Sequence, residues 1–102
     1  RISNRVKRNI SFTLFVVGLL CMAARSIDVL QNPASTMAWF EFASITFLHG
    51  AFVLTISSFI AEELKTVSYL AQAVNASNLI VYAPRTLSGS PAIKPAPLGI
   101  II

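Results

Sequence analysis

Apolar residues fall in two blocks along the chain. Residues 10–24 are apolar apart from Ser11 and Thr13. At about 1.5 Å per residue, a helix of that length falls short of the ~30 Å hydrocarbon core of a bilayer. Continuing the helix through residue 30 makes it long enough and places Arg25 and Asp28 inside it, near its far end. Being three apart, they share a helix face and can pair. The second block, residues 42–61, contains no Asp, Glu, Lys or Arg and follows Trp39 and Phe40, as an aromatic belt at the headgroup level would. Between the blocks, QNPAST at 31–36 predicts a turn. Pro33 ends the first helix, and Ser35 or Thr36 caps the second. So short a connection predicts an antiparallel hairpin.

Past Glu62 the pattern changes. Leu64, Val67, Ala71 and Val74 recur at helical spacing, with Glu62, Glu63, Lys65, Ser68, Gln72 and Asn75 filling much of the rest. This predicts an amphipathic helix that leaves the bilayer or lies on its surface, with Leu64, Val67, Ala71 and Val74 as its apolar face. Asn75, Ser77 and Asn78 predict its end. Pro84, Gly89, Pro91, Pro95, Pro97 and Gly99 then disfavour helix and central strand, so an extended tail ordered by its neighbours is expected. The apolar end, Ile100 to Ile102, suggests docking against a partner or a truncation. The expected architecture is an all-α membrane protein. It has a basic segment (1–9), a first span (10–30), a turn (31–36), a second span (37–61), an amphipathic extension (62–76) and a Pro-rich extended tail (77–102).

Composition narrows the class. Of 102 residues, 55% are hydrophobic and 12% charged, against about 25% charged in soluble domains. The mean hydropathy is +0.71. A chain this short, burying only about two-thirds of its surface in water, does not hide that much apolar surface alone. These features exclude a soluble monomeric enzyme, a disordered tail and a disulfide scaffold. The formal net charge is +4, and half of the basic residues, Arg1, Arg5, Lys7 and Arg8, precede the first apolar block without an acid among them. That is the positive-inside signal, and it attracts anionic lipid headgroups. With two spans, both termini are expected on the inner side (cytoplasmic, matrix or stromal) of a bacterial inner, thylakoid or mitochondrial inner membrane. The aromatics lie within the apolar blocks instead of on a basic face, which argues against nucleic acid. Residues 1–24 share the layout of a signal peptide, with Ala23 and Ala24 at its end. Cleavage there would strand the second block, so retention is expected. The start at Arg1 is read as a processed terminus or a fragment boundary.

A hairpin turning between residues 33 and 34 pairs positions whose numbers sum to about 67. Arg25 then falls beside Glu41, and Gly18 opposite His49. Arg25, Asp28 and Glu41 are expected to neutralise one another at the far interface, because an unpaired charge at the bilayer centre costs roughly 2.5–3.5 kcal/mol. Thr46 with Gly50, and Ser57 with Ala61, are small residues four apart, a spacing that lets helix backbones approach in lipid.

His49 is the sole histidine, and an intramembrane ionisable residue is a functional candidate. Two readings compete. It either bonds a carbonyl or hydroxyl across the helix pair, the favoured case, or ligates haem or (bacterio)chlorophyll, with Phe47, Gly50 and Phe52 beside the macrocycle. Light-harvesting antenna helices use one such histidine, but this chain carries no antenna motif and lacks the tryptophan expected after it. Glu62 and Glu63 point about 100° apart on a helix and do not converge on a substrate. No catalytic residues and no metal site are expected. Cys21, the one cysteine, is a packing residue. Sequons occur at Asn9 and Asn75.

The function expected is therefore a small non-catalytic accessory subunit of a multi-subunit, energy-transducing membrane complex (photosynthetic or respiratory), with other membrane subunits and bound lipids as its partners. The alternatives are a pigment- or haem-binding subunit using His49, or a homo-oligomeric channel or transporter component.

Overall fold

A computed structural model describes residues 2–89, and among them the regular elements are all helical. Arg1 and most of the expected tail lie outside the described residues.

The first helix, α1 (Asn4–Gln31), begins within the basic segment. Ser3 caps it, its side chain accepting from the Val6 amide at 3.3 Å. Lys and Arg are good helix formers, so the helix begins ahead of the apolar block. It stops at Asn32, one residue before Pro33. The second helix, α2 (Thr36–Thr55), is capped by Ser35, whose hydroxyl accepts from the Ala38 amide at 3.2 Å. Both α1 and α2 are long and apolar enough to cross a membrane.

The structure departs from the expected architecture after Thr55. The second helix does not reach residue 61. A 3-10 turn at Ser57–Phe59 follows, and Ala61 opens a third helix, α3 (Glu62–Val81). The expected break at Asn75, Ser77 and Asn78 is absent, so α3 runs to Val81 into the expected tail, and a short α4 (Ala83–Leu87) follows with Pro84 in its first turn. Proline is tolerated there because that N–H needs no helical partner. Weak helix propensity at the asparagines is overridden because Asn75 and Asn78 are fully buried and hydrogen-bonded or otherwise engaged.

The third helix neither leaves the bundle nor lies across it. It folds back antiparallel along α2. Leu64 packs on the cluster of Phe15, Val53 and Ile56. At the other end, Leu79, Tyr82 and Ala83 pack with Val29, Ala38, Trp39 and Phe42, beside the 32–35 turn. Lys7 stands 6.0 Å over the Phe59 ring at the opposite end. Residues 2 and 89 therefore sit at opposite ends of an elongated bundle measuring 53 × 21 × 18 Å.

The inward face of α3 matches the expected apolar face only in part: Leu64 and Ala71 turn toward the bundle, whereas Val67 does not. Ser68, Ala71, Asn75 and Asn78 are buried, whereas Val67, Tyr69, Leu70, Ile80 and Val81 are exposed. In α1 and α2 the buried stripe mixes Ser11, Ser26, Thr46 and His49 with Phe15, Met22, Val29, Phe42 and Val53, while Phe12, Leu20, Phe40, Phe47, Leu48 and Leu54 point outward.

Candidate functional site

Between the two apolar clusters lies a layer of polar side chains from α2 and α3, to which α1 adds a backbone carbonyl and a thioether sulfur. Buried positions on α1 (Ser11, Phe15, Met22, Ser26, Val29) and on α2 (Phe42, Thr46, His49, Val53) recur at three, four or seven residues, the spacings of one helix face. Each helix thus turns one stripe inward. Positions 68, 71, 75 and 78 do the same on α3.

His49, only 4% exposed, is the centre of this layer. Its Nε2 lies 3.3 Å from the Phe15 carbonyl oxygen and its Nδ1 lies 3.2 Å from Gln72 Nε2. An amide nitrogen only donates and a carbonyl oxygen only accepts, so the pairing selects the neutral ring with its hydrogen on Nε2. Gln72 Nε2 also approaches the Met22 sulfur at 3.8 Å. One turn away, Asn75 Nδ2 donates to Thr46 Oγ1 at 3.2 Å. The Phe15 ring tilts against the imidazole, with centroids 5.3 Å apart.

Gly18 makes the layer possible. A Cβ built on it would collide with the imidazole ring. Gly50, in contrast, faces the Gln72 amide group, with a Cβ approach of 3.3 Å. The small pair Thr46 and Gly50 thus serves the α2–α3 contact. Ser57 and Ala61 form no helix-packing stripe, because Ser57 lies in the 3-10 turn and Ala61 is the cap of α3.

Arg25, Asp28 and Glu41 meet at the turn end of the bundle. Arg25 donates through Nη1 to Glu41 Oε2 and stands 3.9 Å from Asp28 Oδ2, while Asn32 Nδ2 donates to Asp28 Oδ1 at 3.2 Å. The side chains of all three acquire only partial burial, 32–40% exposed. A pair that wet contributes about 0–1 kcal/mol. We therefore expect Glu41→Gln to shift bundle stability in detergent by less than about 1 kcal/mol. A loss of several times that, measured by thermal unfolding, would show the cluster to be a structural anchor.

A groove of about 380 Å³ opens beside this cluster, lined by Cys21, Ala24, Phe40, Ser44 and Ile45 with the Arg25–Glu41 pair. A second groove, about 220 Å³, runs past Gly18 and His49 between Leu14, Val17, Leu48 and Phe52. Arg5, Lys7 and Arg8 are exposed near the start of α1. Asn75, fully buried, is no glycan acceptor in the folded bundle. Among the described residues, no group of three His, Cys, Asp or Glu comes together.

Sequence reading placed His49 and its neighbour Gly18 at one depth, but missed Gln72, Asn75, Ser68 and Asn78 as interior groups. Their signal was present as a small and polar stripe at helical spacing. It points inward only when the surrounding medium is apolar. No family model, curated protein or solved structure matches the chain.

Proposed function

We propose that this chain is a non-catalytic accessory subunit that packs among the helices of a larger membrane assembly, with an energy-transducing complex as its setting. One observation supports this above the others. Most polar groups at mid-bundle are engaged within the bundle, Asn75 Oδ1 and Ser68 Oγ excepted, while large apolar side chains cover the outside of every long helix. A reactive or transporting centre would need a free polar group open to a substrate at that depth, and the two unpartnered oxygens, Asn75 Oδ1 and Ser68 Oγ, are sealed from the surface. A packing element needs an apolar perimeter for lipid and neighbouring helices. The exposed Arg5, Lys7 and Arg8 suit anionic headgroups.

Purification in mild detergent with mass spectrometry of co-migrating chains tests the proposal. Foreign membrane subunits in fixed ratio are the expected result. Recovery of this chain alone as a homo-oligomer would favour the channel reading.

The groove beside His49 favours one second reading, a pigment or haem seated between α1 and α2. Ligation through either ring nitrogen would break a hydrogen bond to Phe15 or Gln72. We expect His49→Leu to leave the absorption spectrum of the purified complex unchanged and to weaken the bundle by about 1–2 kcal/mol, two cross-helix hydrogen bonds' worth. Loss of a Soret or chlorophyll band would replace the packing reading with the cofactor reading.

A further inference from the structure

We propose that α3 is a third membrane-crossing helix with lipid acyl chains on its outer face, which leaves residues 2 and 89 on opposite sides of the membrane. The inference rests on the membrane reading above and replaces the expected arrangement with both termini on the inner side.

Register carries the argument first. Gln72 meets His49, Asn75 meets Thr46, and Ala83 reaches the Trp39 cluster. These pairs follow α2 from its middle to its start, and Leu64 meets the Val53–Ile56 end. Whatever depth α2 covers, α3 therefore covers too. Length agrees, because the 20 residues of α3 rise about 30 Å, the thickness of the hydrocarbon core.

Chemistry points the same way. No Asp, Glu, Lys or Arg occurs between Lys65 and Arg85. Most of the polar groups that lower the apolarity of α3 face inward, Gln72 and Asn75 bonded to α2 and Asn78 engaged as well, with Thr66 and Ser77 left on the outside. Ile80 is 76% exposed, and Tyr69, Leu70 and Val81 are exposed as well. In water such a helix would bury its polar face and solvate its apolar one, the reverse of what the hydrophobic effect selects. In lipid the arrangement is the stable one, since polar side chains have partners only inside the bundle. The ends also fit. Glu62, Glu63 and Lys65 lie at the level of the α1 start, and Tyr82 and Arg85 at the level of Trp39 and Arg25. Among the described residues, Arg5, Lys7, Arg8 and Lys65 stand at one end, against Arg25 and Arg85 at the other. That bias places the start of the chain on the inner side.

Single cysteines introduced into full-length Cys21→Ser protein read the topology in intact, uniformly oriented membranes. Ile2→Cys, Ser88→Cys and Leu70→Cys are each treated with a membrane-impermeant maleimide, before and after detergent. We expect Ile2→Cys and Ser88→Cys to react from opposite faces, and Leu70→Cys to lose all labelling until detergent is added. Labelling of Ile2→Cys and Ser88→Cys from the same face would overturn the third crossing, as would labelling of Leu70→Cys in intact membranes. Same-face labelling would leave the accessory-subunit proposal standing. Release of the chain by alkaline carbonate would sink both.

Discussion

Replacing Gly18 with leucine is expected to destabilise the bundle by about 3 kcal/mol, the upper part of the range for overpacking a filled interior. The imidazole already occupies the space into which a Cβ would grow. It cannot swing aside freely, because Phe15 and Gln72 hold its two nitrogens and the Phe15 ring leans against it. Gly18→Ala should cost less, about 1–2 kcal/mol, because alanine recovers up to ~1 kcal/mol of helix propensity while adding a single methyl. Denaturation in mixed detergent, followed by circular dichroism, measures both. A double-mutant cycle assigns the cause: Gly18→Leu combined with His49→Gly should be closer to wild type than the sum of the two single changes. Strict additivity would show that the leucine acts elsewhere. A Gly18→Leu protein as stable as wild type would mean that α1 and α2 do not approach here as described.

The second large effect is expected from Asn75→Asp, a change of one atom. Asn75 is fully buried near the bundle's centre, and its amide donates to Thr46. An ionised carboxylate at that depth costs about 2.5–3.5 kcal/mol on insertion scales. It also removes the donor toward Thr46, and no basic residue of α3 lies beyond Lys65 to compensate within the span. Asn75→Leu is the informative partner. It removes the Thr46 hydrogen bond but also removes Asn75 Oδ1, a buried oxygen without a partner. Its cost should be clearly smaller than that of the charge. If Asn75→Asp matched Asn75→Leu in unfolding measurements and in membrane insertion yield, the position would be in contact with water, and α3 would not cross lipid.

Both expectations depend on the medium around the bundle. Burial of apolar area, worth about 25 cal/mol per Å² in water, gives little when the competing environment is acyl chain. The two apolar clusters therefore contribute packing more than transfer energy. Specific register falls to the polar layer, where hydrogen bonds across helices average about 0.6 kcal/mol and reach about 1.7. Trp39 shows how the turn end is fastened by the same means. Its indole Nε1 donates to the Pro33 carbonyl at 2.6 Å, and its ring stands edge-on to Phe42 at 6.0 Å. The turn that joins α1 to α2 is thus tied to the cluster on which α3 ends.

Much of this protein was decided by short-range rules. Two apolar blocks of sufficient length, separated by Pro33 and capped by Ser35, specify two helices whatever surrounds them. The numbering sum across the turn also placed Gly18 at the depth of His49, because helical rise is fixed and a tight turn leaves no slack. What neighbours decide was not legible. Local pattern gave Leu64, Val67, Ala71 and Val74 as the apolar face of α3; Leu64 and Ala71 do pack inward, but Val67 is exposed, and Ser68, Asn75 and Asn78 are buried with Ala71. Hydrophobic periodicity gives the axis along which a helix is two-faced; it does not give the sign, which depends on whether water or lipid lies outside. Nor did the local pattern reveal that Ser57–Phe59 reverses the chain, or that asparagines at 75 and 78 would stay helical. Those outcomes required Thr46, His49 and Met22, distant in sequence, to be present at the right depth as partners.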